Sequence, residues 1–421
     1  MNAPHLLAAD IGGTNSRFAL FRLEPVSPQM ENASVSSGAI SSLASSNALI
    51  PADTVDAPAA TNAVTIGQFR LSLVPGSKLM LSTPDHGNFG QLLNSLREAK
   101  SPGGFSLLDE GFNLIGASLA VPGPVRDDVC QAPNIHWPLG AQDACAALDC
   151  KTLLLNDFAA QGLACLFPAV QGLRPVLPGQ PQRASPKIIL GAGTGLGKAI
   201  ILPGSASFCR DAASDIVFAS GRVGEDYTPV GKNSPALPDD KSRHYPTNCK
   251  LRDHHDLSAR ILPSEGGHSL FPFRGEEEAA FEAFLRKVSG RREVIGDMVV
   301  TGYGLAALYA FHSEKQKLLP PPEVTPRLAG CPAALEWLAR FYGRACRNML
   351  LETLALGGVV LSGGMISHVP GLLGHPAFEA EFRSCETQAH LLSQVPVWWA
   401  SNPDCGLWGA AIHGLEHFLQ R

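Results

Sequence analysis

The sequence predicts an α/β fold in which two similar domains face one cleft. Apolar segments typical of strands alternate with segments typical of helices along most of the 421 residues. A unit of strand, glycine-rich turn and strand occupies residues 6–20 and recurs at residues 187–202. Such a repeat is expected where two α/β domains of the same design lie on either side of a ligand.

Composition limits the classes of partner. Hydrophobic residues make up 45% and charged residues 17%, as in soluble globular proteins. The net charge of −5 argues against a nucleic-acid partner, and no apolar run approaches the ~18 residues of a membrane span. The ten cysteines include no C-x-x-C pair, which argues against a zinc ribbon. Their even number allows disulfides, but a long chain without a secretory signal favours reduced thiols and a cytoplasmic location.

The N-terminal half begins with an apolar strand, a Gly-Gly turn and a second strand with alternating apolar residues. Residues 24–66 are rich in Ser, Ala, Pro and Asn, which predicts a long, flexible excursion from a hairpin. Order is expected to resume at residues 71–81. The apolar pattern then predicts a helix over 89–100, strands over 114–121 and 152–155, and a helix that begins near Phe158.

The C-terminal half continues from the hairpin at 187–202. Mixed charge over residues 205–260 predicts a surface insertion, in which His254 and His255 are either a solvated pair or metal ligands. The pattern then predicts helices over 276–288, over 335–352 with Gly357 and Gly358 ending it, and over 406–419, and a strand over 359–361.

The first glycine turn is Asp10-Ile11-Gly12-Gly13-Thr14-Asn15. Two residues without Cβ atoms let the backbone approach a ligand, so the N–H groups of this turn can bind phosphate. Asp10 ends the preceding strand, where a carboxylate can hold Mg²⁺, directly or through water. Considered alone, the turn has a simpler explanation as an ordinary β-hairpin.

Two further glycine turns follow apolar strands, namely Gly193-Thr194-Gly195 and Ser362-Gly363-Gly364. Two common phosphate-loop templates do not fit the turn at Gly193. A Walker A loop needs glycine at Ala192 and Ser or Thr at Ala199, and a dinucleotide loop needs glycine at Leu196. The sequence therefore favours a polyphosphate held between strand-ending turns over a P-loop ATPase or a Rossmann dehydrogenase.

Two polar pairs could carry chemistry. Asn156 and Asp157 lie between a strand and a helix, the usual ligand crevice of an α/β sheet, where an ionised Asp can accept a proton from a hydroxyl. The alternative is a helix N-cap. Glu265 and His268 flank a Gly-Gly turn and could converge on adjacent sugar hydroxyls. The alternative there is a polar surface turn.

Taken together, these motifs resemble the bacterial glucokinase family, a branch of the superfamily that joins sugar kinases, actin and the Hsp70 chaperones. The matching segments, in family order, are 10–15, 155–158, 191–197, 263–268, 301–305, 357–364 and 402–409. The resemblance implies two actin-like (ribonuclease H-like) domains with ATP and sugar between them. It implies a smaller domain of residues 1–157 and 404–421 and a larger one of residues 158–403.

The resemblance also implies an activity, the Mg²⁺–ATP-dependent phosphorylation of the 6-hydroxyl of glucose as the first step of glycolysis. It makes Asp157 the catalytic base, and it implies a cytoplasmic homodimer. Sugar ligands implied by position are Asn156, Glu265, His268, Asp297 and, on the sugar side, Asn134. Nucleotide-binding residues implied by position are Asp10, Ile11, Gly12, Gly13, Thr14, Asn15, Gly193, Thr194, Gly195, Gly363 and Gly364.

Asp297 departs from the family pattern, which usually has a glutamate there. Its side chain is shorter by one methylene group, so the preferred sugar stays open and a kinase for another hexose is one alternative. A non-catalytic sugar sensor is a second, although no basic helix-turn-helix precedes Leu6. An actin-like or chaperone-like ATPase is a third, but such a protein has no use for the sugar-binding pairs.

Overall fold

The computed structural model describes residues 3–26, 62–203, 260–313 and 317–419. Their strands are β1 Pro4–Ile11, β2 Asn15–Pro25, β3 Ala63–Ile66, β4 Phe69–Leu73, β5 Leu79–Ser82, β6 Asn113–Val121, β7 Val125–Arg126, β8 Val129–Cys130, β9 Leu139–Gly140, β10 Thr152–Asn156, β11 Leu173–Leu177, β12 Lys187–Ala192, β13 Leu196–Ile201, β14 Ile261–Ser264, β15 Val359–Ser362 and β16 Val397–Ala400.

The α-helices of the same ranges are α1 Phe89–Asn94, α2 Ala141–Leu148, α3 Asp157–Ala164, α4 Pro168–Gln171, α5 Gly275–Ser289, α6 Gly296–Val299, α7 Gly302–His312, α8 Pro321–Val324, α9 Pro332–Thr353, α10 Gly364–His368, α11 Pro376–Arg383, α12 Ala389–Gln394 and α13 Cys405–Leu419. Short 3-10 turns cover Thr83–Asp85, Ser95–Arg97, Gly266–His268 and Thr325–Gly330. No helix within the described ranges is long and apolar enough to cross a membrane.

The first large sheet has the strand order β10-β6-β1-β2-β4-β3, and β5 also pairs with β2. Strands β1, β6 and β10 run parallel, whereas β2 returns antiparallel to β1. Asp10 pairs with Ala120, and Asn156 pairs with the next residue, Val121. The carboxyl ends of the three parallel strands therefore meet at one edge, where an α/β sheet usually binds its ligand.

The second large sheet repeats this design. Its order is β11-β16-β15-β12-β13-β14. Strands β12, β15 and β16 run parallel, and β13 returns antiparallel to β12 as β2 does to β1. The internal repeat predicted from the two glycine hairpins is thus present as a repeated strand order. The described strands of the first sheet lie within 4–156 and those of the second within 173–400, and the exact domain boundaries stay a prediction.

Two helices join the sheets. Helix α13 packs on β1 and β6 of the first sheet and along α3, which in turn contacts β13 and β14 of the second sheet. The two helices approach closely at Gly409, where an added Cβ atom would lie 1.7 Å from the carbonyl oxygen of Ala160. One buried apolar cluster draws residues from both sheets and both helices. Helix α3 is therefore held from both sides.

Helix α9 carries buried charge as well as apolar residues. Arg344, 1% exposed, donates hydrogen bonds to Glu278 of α5 at 2.9 Å and to Glu381 of α11 at 2.9 Å. Arg347 also donates to Glu381, at 2.7 Å. Because each buried charge faces an opposite charge, the network fixes how α5, α9 and α11 pack.

The structure corrects several predicted boundaries. Ordered strand extends to Pro25 and resumes at Ala63, so both ends of the predicted excursion at 24–66 belong to the first sheet. The helix predicted over 89–100 is α1 followed by a 3-10 turn. Helix α9 ends at Thr353, and its C-cap is Leu354 in a left-handed conformation with φ 48°, rather than Gly357 and Gly358. Most of the insertion predicted at 205–260, with both of its adjacent histidines, lies outside the described residues.

Candidate active site

Asn156 and Asp157 occupy the junction between β10 and α3. The Asn156 side-chain oxygen accepts hydrogen bonds from the amides of Phe158 and Ala159, both at 3.0 Å, so Asn156 is the N-cap of α3. Its side-chain nitrogen donates to the carbonyl oxygen of Gly123 at 3.2 Å. Asn156 therefore caps the helix, and this cap fixes Asp157 as the first residue of α3. The predicted role of Asn156 as a sugar ligand stays a prediction.

Asp157 is a carboxyl group held in an unfavourable environment for its charge. Burial, followed by the negative charges of Asp10 and Glu265, raises its pKa to about 7, although the Phe158 amide opposes the shift. That amide donates to the carboxylate at 2.8 Å. Burial also raises the pKa of Asp10, against the attraction of Arg17, whose guanidinium lies 4.0 Å away. Perturbed carboxyls that influence one another are typical of catalytic sites.

Phe158 seats helix α3 on the second sheet. Gly191 and Gly197 are cross-strand partners on β12 and β13. A Cβ atom added to Gly191 would lie 2.5 Å from the Phe158 ring, and one added to Gly197 would lie 1.7 Å from it. These two glycines therefore make room for the ring that follows Asp157. Sequence reasoning assigned no role to Phe158, because its partners lie more than thirty residues away.

The first glycine turn is closed by its own backbone and by Thr83. The amide of Gly12 donates to the carbonyl oxygen of Asn15 at 3.0 Å. The buried Thr83 donates its hydroxyl to the carbonyl oxygen of Gly12 at 2.7 Å and its amide to that of Thr14 at 3.0 Å. No sequence signal pointed to Thr83. A Cβ atom on Gly13 would lie 3.0 Å from the Asn134 side chain, which places Asn134 at this turn.

The second glycine turn meets the third. The amide of Gly193 donates to the carbonyl oxygen of Gly195 at 3.0 Å, and Gly302 donates to that of Gly193 at 3.1 Å. Gly363 has a φ of 93°, and a Cβ atom there would lie 2.4 Å from the carbonyl oxygen of Ala192. The amide nitrogen of Gly364 lies 4.0 Å from the Cβ position of Gly193. Three segments distant in sequence thus lie together at this turn.

Glu265 and His268 stand on one short turn. A 3-10 turn over Gly266–His268 follows Glu265 and brings Glu265 Oε2 within 3.6 Å of His268 Nε2. Their side chains are 51% and 45% exposed, so both can reach a ligand. The structure therefore brings the predicted pair together, and it is Glu265 whose charge acts on Asp157.

Asp297 lies in the first turn of α6, and its side chain reaches the beginning of β13. Its Oδ1 atom accepts a hydrogen bond from the Leu196 amide at 2.5 Å. A Cβ atom on Gly195 would be 3.3 Å from its carboxylate, and one on Gly267 would be 3.0 Å away. The side chain thus lies between the second glycine turn and the turn that bears Glu265 and His268. Its predicted role as a sugar ligand stays a prediction.

Most of the chain is similar to proteins that are named glucokinases. The family model described as glucokinase matches residues 75–213 and 249–417. A glucokinase of Sinorhizobium medicae is 28% identical over 72% of this chain and 76% of its own length. A glucokinase of Chromobacterium violaceum is 24% identical over 84% of this chain and 88% of its own length.

Two solved structures share the architecture. A glucokinase from an Antarctic psychrotroph superposes with a TM-score of 0.57 and 21% identity, covering 97% of both chains. A Balamuthia mandrillaris glucokinase in complex with glucose superposes with a TM-score of 0.59 and 16% identity, covering 98% of this chain and 93% of its own. These likenesses confirm the predicted actin-like α/β fold. Since the family model matches well over half of the sequence, the chain belongs to the glucokinase family.

Proposed function

We propose that this protein is a glucokinase that transfers the γ-phosphoryl group of ATP to the 6-hydroxyl of glucose, as the first step of glycolysis. The observation that carries the proposal is Asp157, a half-buried carboxyl at the start of α3 whose pKa is raised to about 7. A general base works best when its pKa lies near the working pH. Asp157 shares its edge of the first sheet with Asp10, and Glu265 is close enough to affect its pKa.

The proposed reaction is an in-line displacement. Glu265 and His268, assisted by Asn156, Asn134 and Asp297, orient the hexose so that its primary hydroxyl faces Asp157. The Asp157 carboxylate takes the proton of that hydroxyl while the oxygen forms its bond to the γ-phosphorus and the bond to the ADP oxygen breaks. Most of the acceleration comes from positioning and charge stabilisation.

The glycine turns fit a polyphosphate because their backbones can be approached closely. A Cβ atom on Gly12 would lie 2.8 Å from the Asn15 carbonyl oxygen, so this turn admits little beyond glycine. We propose that residues 10–15 and 193–195 bind the phosphates and that Gly363 and Gly364 line the adenosine side. Asp10 would hold Mg²⁺ through water, and the ion would neutralise phosphate charge during transfer.

The activity is tested by measuring ADP release with glucose, with a panel of other hexoses and with no sugar. Glucose-dependent release supports the proposal. A preference for another hexose would favour the alternative kinase, which Asp297 motivates because it replaces the usual glutamate. Release without sugar would favour an ATPase, and no release under any condition would favour a sensor.

The catalytic role is tested by Asp157→Asn. We expect kcat to fall by about 10²–10⁴-fold, the usual contribution of a general base, with glucose still bound. The matched control is Asp143→Asn, because Asp143 also lies in the first turn of a helix but is exposed on α2. Turnover of Asp157→Asn within a few-fold of the parent enzyme would remove Asp157 from the mechanism.

We also propose that the enzyme is a cytoplasmic homodimer, as the resemblance implies. Sedimentation equilibrium of the purified protein measures the mass of the assembly directly. A single species of one chain across the working concentration range would contradict the dimer without bearing on the kinase activity.

A further inference from the structure

Lys198 lies on β13, which leaves the second glycine turn and pairs with β14. Lys198 pairs with Ser264, the last residue of β14 before the turn that bears Glu265 and His268. Its Nζ atom donates a hydrogen bond to the carbonyl oxygen of Gly266 in that turn at 3.1 Å. The aliphatic part of the side chain also lies close, since a Cβ atom on Gly266 would be 3.2 Å from Lys198 Cδ.

Within the turn the other hydrogen bonds are local, and just after it Gly296 donates its amide to the Ser269 carbonyl oxygen at 3.0 Å. His268 donates its amide to Glu265, Ser269 donates to Gly266, and the Gly266 amide donates to the Ser264 hydroxyl. The local bonds fix the shape of the turn, while the pairing of Ser264 with Lys198 and the Gly296 bond hold its two ends. Lys198 reaches the turn from 68 positions away in the sequence and so ties it to the strand that carries the phosphate turn.

The hydrogen bond from Lys198 to Gly266 has a charged donor and is partly buried. Burial lowers the pKa of Lys198, while Glu352, Cys346 and Asp297 raise it. A hydrogen bond from an ammonium to a carbonyl oxygen is stronger than one between neutral groups. Its partner, Gly266, is flanked by Glu265 on one side and leads through Gly267 to His268 on the other. A change at the Gly266 carbonyl therefore moves both side chains of the pair together.

Lys198 also borders a cavity of about 260 Å³ behind the turn. The wall includes Ser264, Gly266, Phe271, Asn348, Met349 and Glu352. This volume exceeds what one water molecule needs, so a small amine can enter where a shortened side chain leaves room.

We propose that Lys198 is a positioning residue for the hexose, which acts through the Gly266 carbonyl to hold Glu265 and His268 in register with Asp157. The proposal rests on the proposed glucokinase function. Replacing the ammonium with an apolar group of similar length leaves the fold of the two strands intact but frees the turn. The loss therefore falls on hexose binding and not on ATP binding.

The test compares Lys198→Met, Lys198→Arg and Lys198→Ala with the parent enzyme by steady-state kinetics in both substrates. We expect Lys198→Met to raise the KM for glucose about tenfold, with kcat and the KM for ATP changed less than about threefold. Lys198→Arg keeps a charged donor and should recover most of the loss. Ethylammonium added to Lys198→Ala should lower the KM for glucose, because the amine can occupy the cavity and donate to Gly266.

Lys187→Met is the matched control, since Lys187 lies on the neighbouring strand β12 with its ammonium over the Trp398 ring and away from the turn. Two results would overturn the proposal. One is an unchanged KM for glucose in Lys198→Met; the other is an equal rise in the KM for glucose and the KM for ATP that neither arginine nor the amine reverses. Should Lys198→Met fail to fold, Lys198→Arg and the amine titration of Lys198→Ala decide by the same criteria. A parent enzyme with no glucose-dependent ADP release would instead refute the proposed function, and the positioning role with it.

Discussion

At the scale of single residues, Asp157 shows how function is favoured at the expense of stability. The carboxyl is held where burial and two other carboxyls disfavour its charge, and its pKa rises to about 7. In an unfolded chain the same group has a pKa near 3.9. The folded protein therefore retains a proton on Asp157 across a pH window in which the unfolded chain has released it. Stability from this group is complete below that window and is lost as the pH rises through it.

Because ionisation of Asp157 lowers the stability of the folded protein as the pH rises, Asp157→Asn should change how thermal stability depends on pH. The asparagine does not ionise, so the variant avoids the cost of a buried charge above pH 7. We expect the Tm of the variant minus that of the parent to become more positive from pH 5 to pH 8. Differential scanning fluorimetry of both proteins in matched buffers measures the difference. A constant or shrinking difference would contradict the raised pKa, whatever the activity of the variant.

At the scale of elements, the glycine-rich segment at 191–197 serves two purposes. Gly193 and Gly195 belong to the exposed turn, whereas Gly191 and Gly197 accommodate the Phe158 ring. The sequence predicted the hairpin from its apolar strands and its glycines. It could not divide the glycines between the two purposes, because the ring that needs the space belongs to another element.

Because Gly197 makes room for the Phe158 ring, Gly197→Ala should disturb the active site. The new methyl group would overlap the Phe158 ring and shift the start of α3, where Asp157 lies. A misplacement of about 1 Å can cost about 10²-fold in rate, so we expect kcat to fall by at least tenfold. The double variant Gly197→Ala/Phe158→Leu relieves the overlap and should recover part of the loss in a coupled ADP assay. Full activity of the single variant would show that the ring does not position Asp157.

Element boundaries show where sequence reasoning ends. The apolar pattern located α5, α9 and α13 to within a few residues. Helix α5 buries one face, whereas α13 is buried on all sides over 405–416. The sequence named Gly357 and Gly358 as the residues that end α9, because glycine is usual after a helix, whereas Leu354 takes the left-handed conformation. Thr83 and Lys198 were missed for a related reason. Each acts on a backbone carbonyl far away in the sequence, and no local pattern reports such a partner.

At the scale of the whole molecule, α3 and α13 form the joint between the sheets. The repeated strand order follows from a sequence repeat. The close crossing of the two helices depends instead on glycines, which have no side chain to keep the helices apart. Gly409 allows α13 to lie against the Ala160 carbonyl. Gly406 lies beside Asp10, since a Cβ atom added to Gly406 would lie 2.7 Å from the carboxyl group of Asp10. The same helix therefore supports the joint and the predicted Mg²⁺ carboxylate.

The joint predicts a large effect of Gly409→Ala. A methyl group 1.7 Å from a backbone oxygen cannot be accommodated by side-chain rotation, so the helices must separate. We expect a loss of about 3 kcal/mol in the free energy of unfolding, at the upper end of overpacking costs. Gly330→Ala is the control, because no atom from elsewhere in the described chain lies within 4 Å of its Cβ position. Urea denaturation of both variants gives the comparison, and equal stabilities would argue against a tight joint.

The open end of the β13–β14 pair has a consequence for how this chain can vary. The Leu202 amide donates to the Arg260 carbonyl oxygen at 2.8 Å, and the Arg260 guanidinium donates back to the Leu202 carbonyl oxygen at 3.0 Å. The two strand ends are therefore fastened to each other independently of the sequence that joins them. We therefore expect that shortening the segment between these positions leaves the relation between the phosphate turn and the sugar turn unchanged.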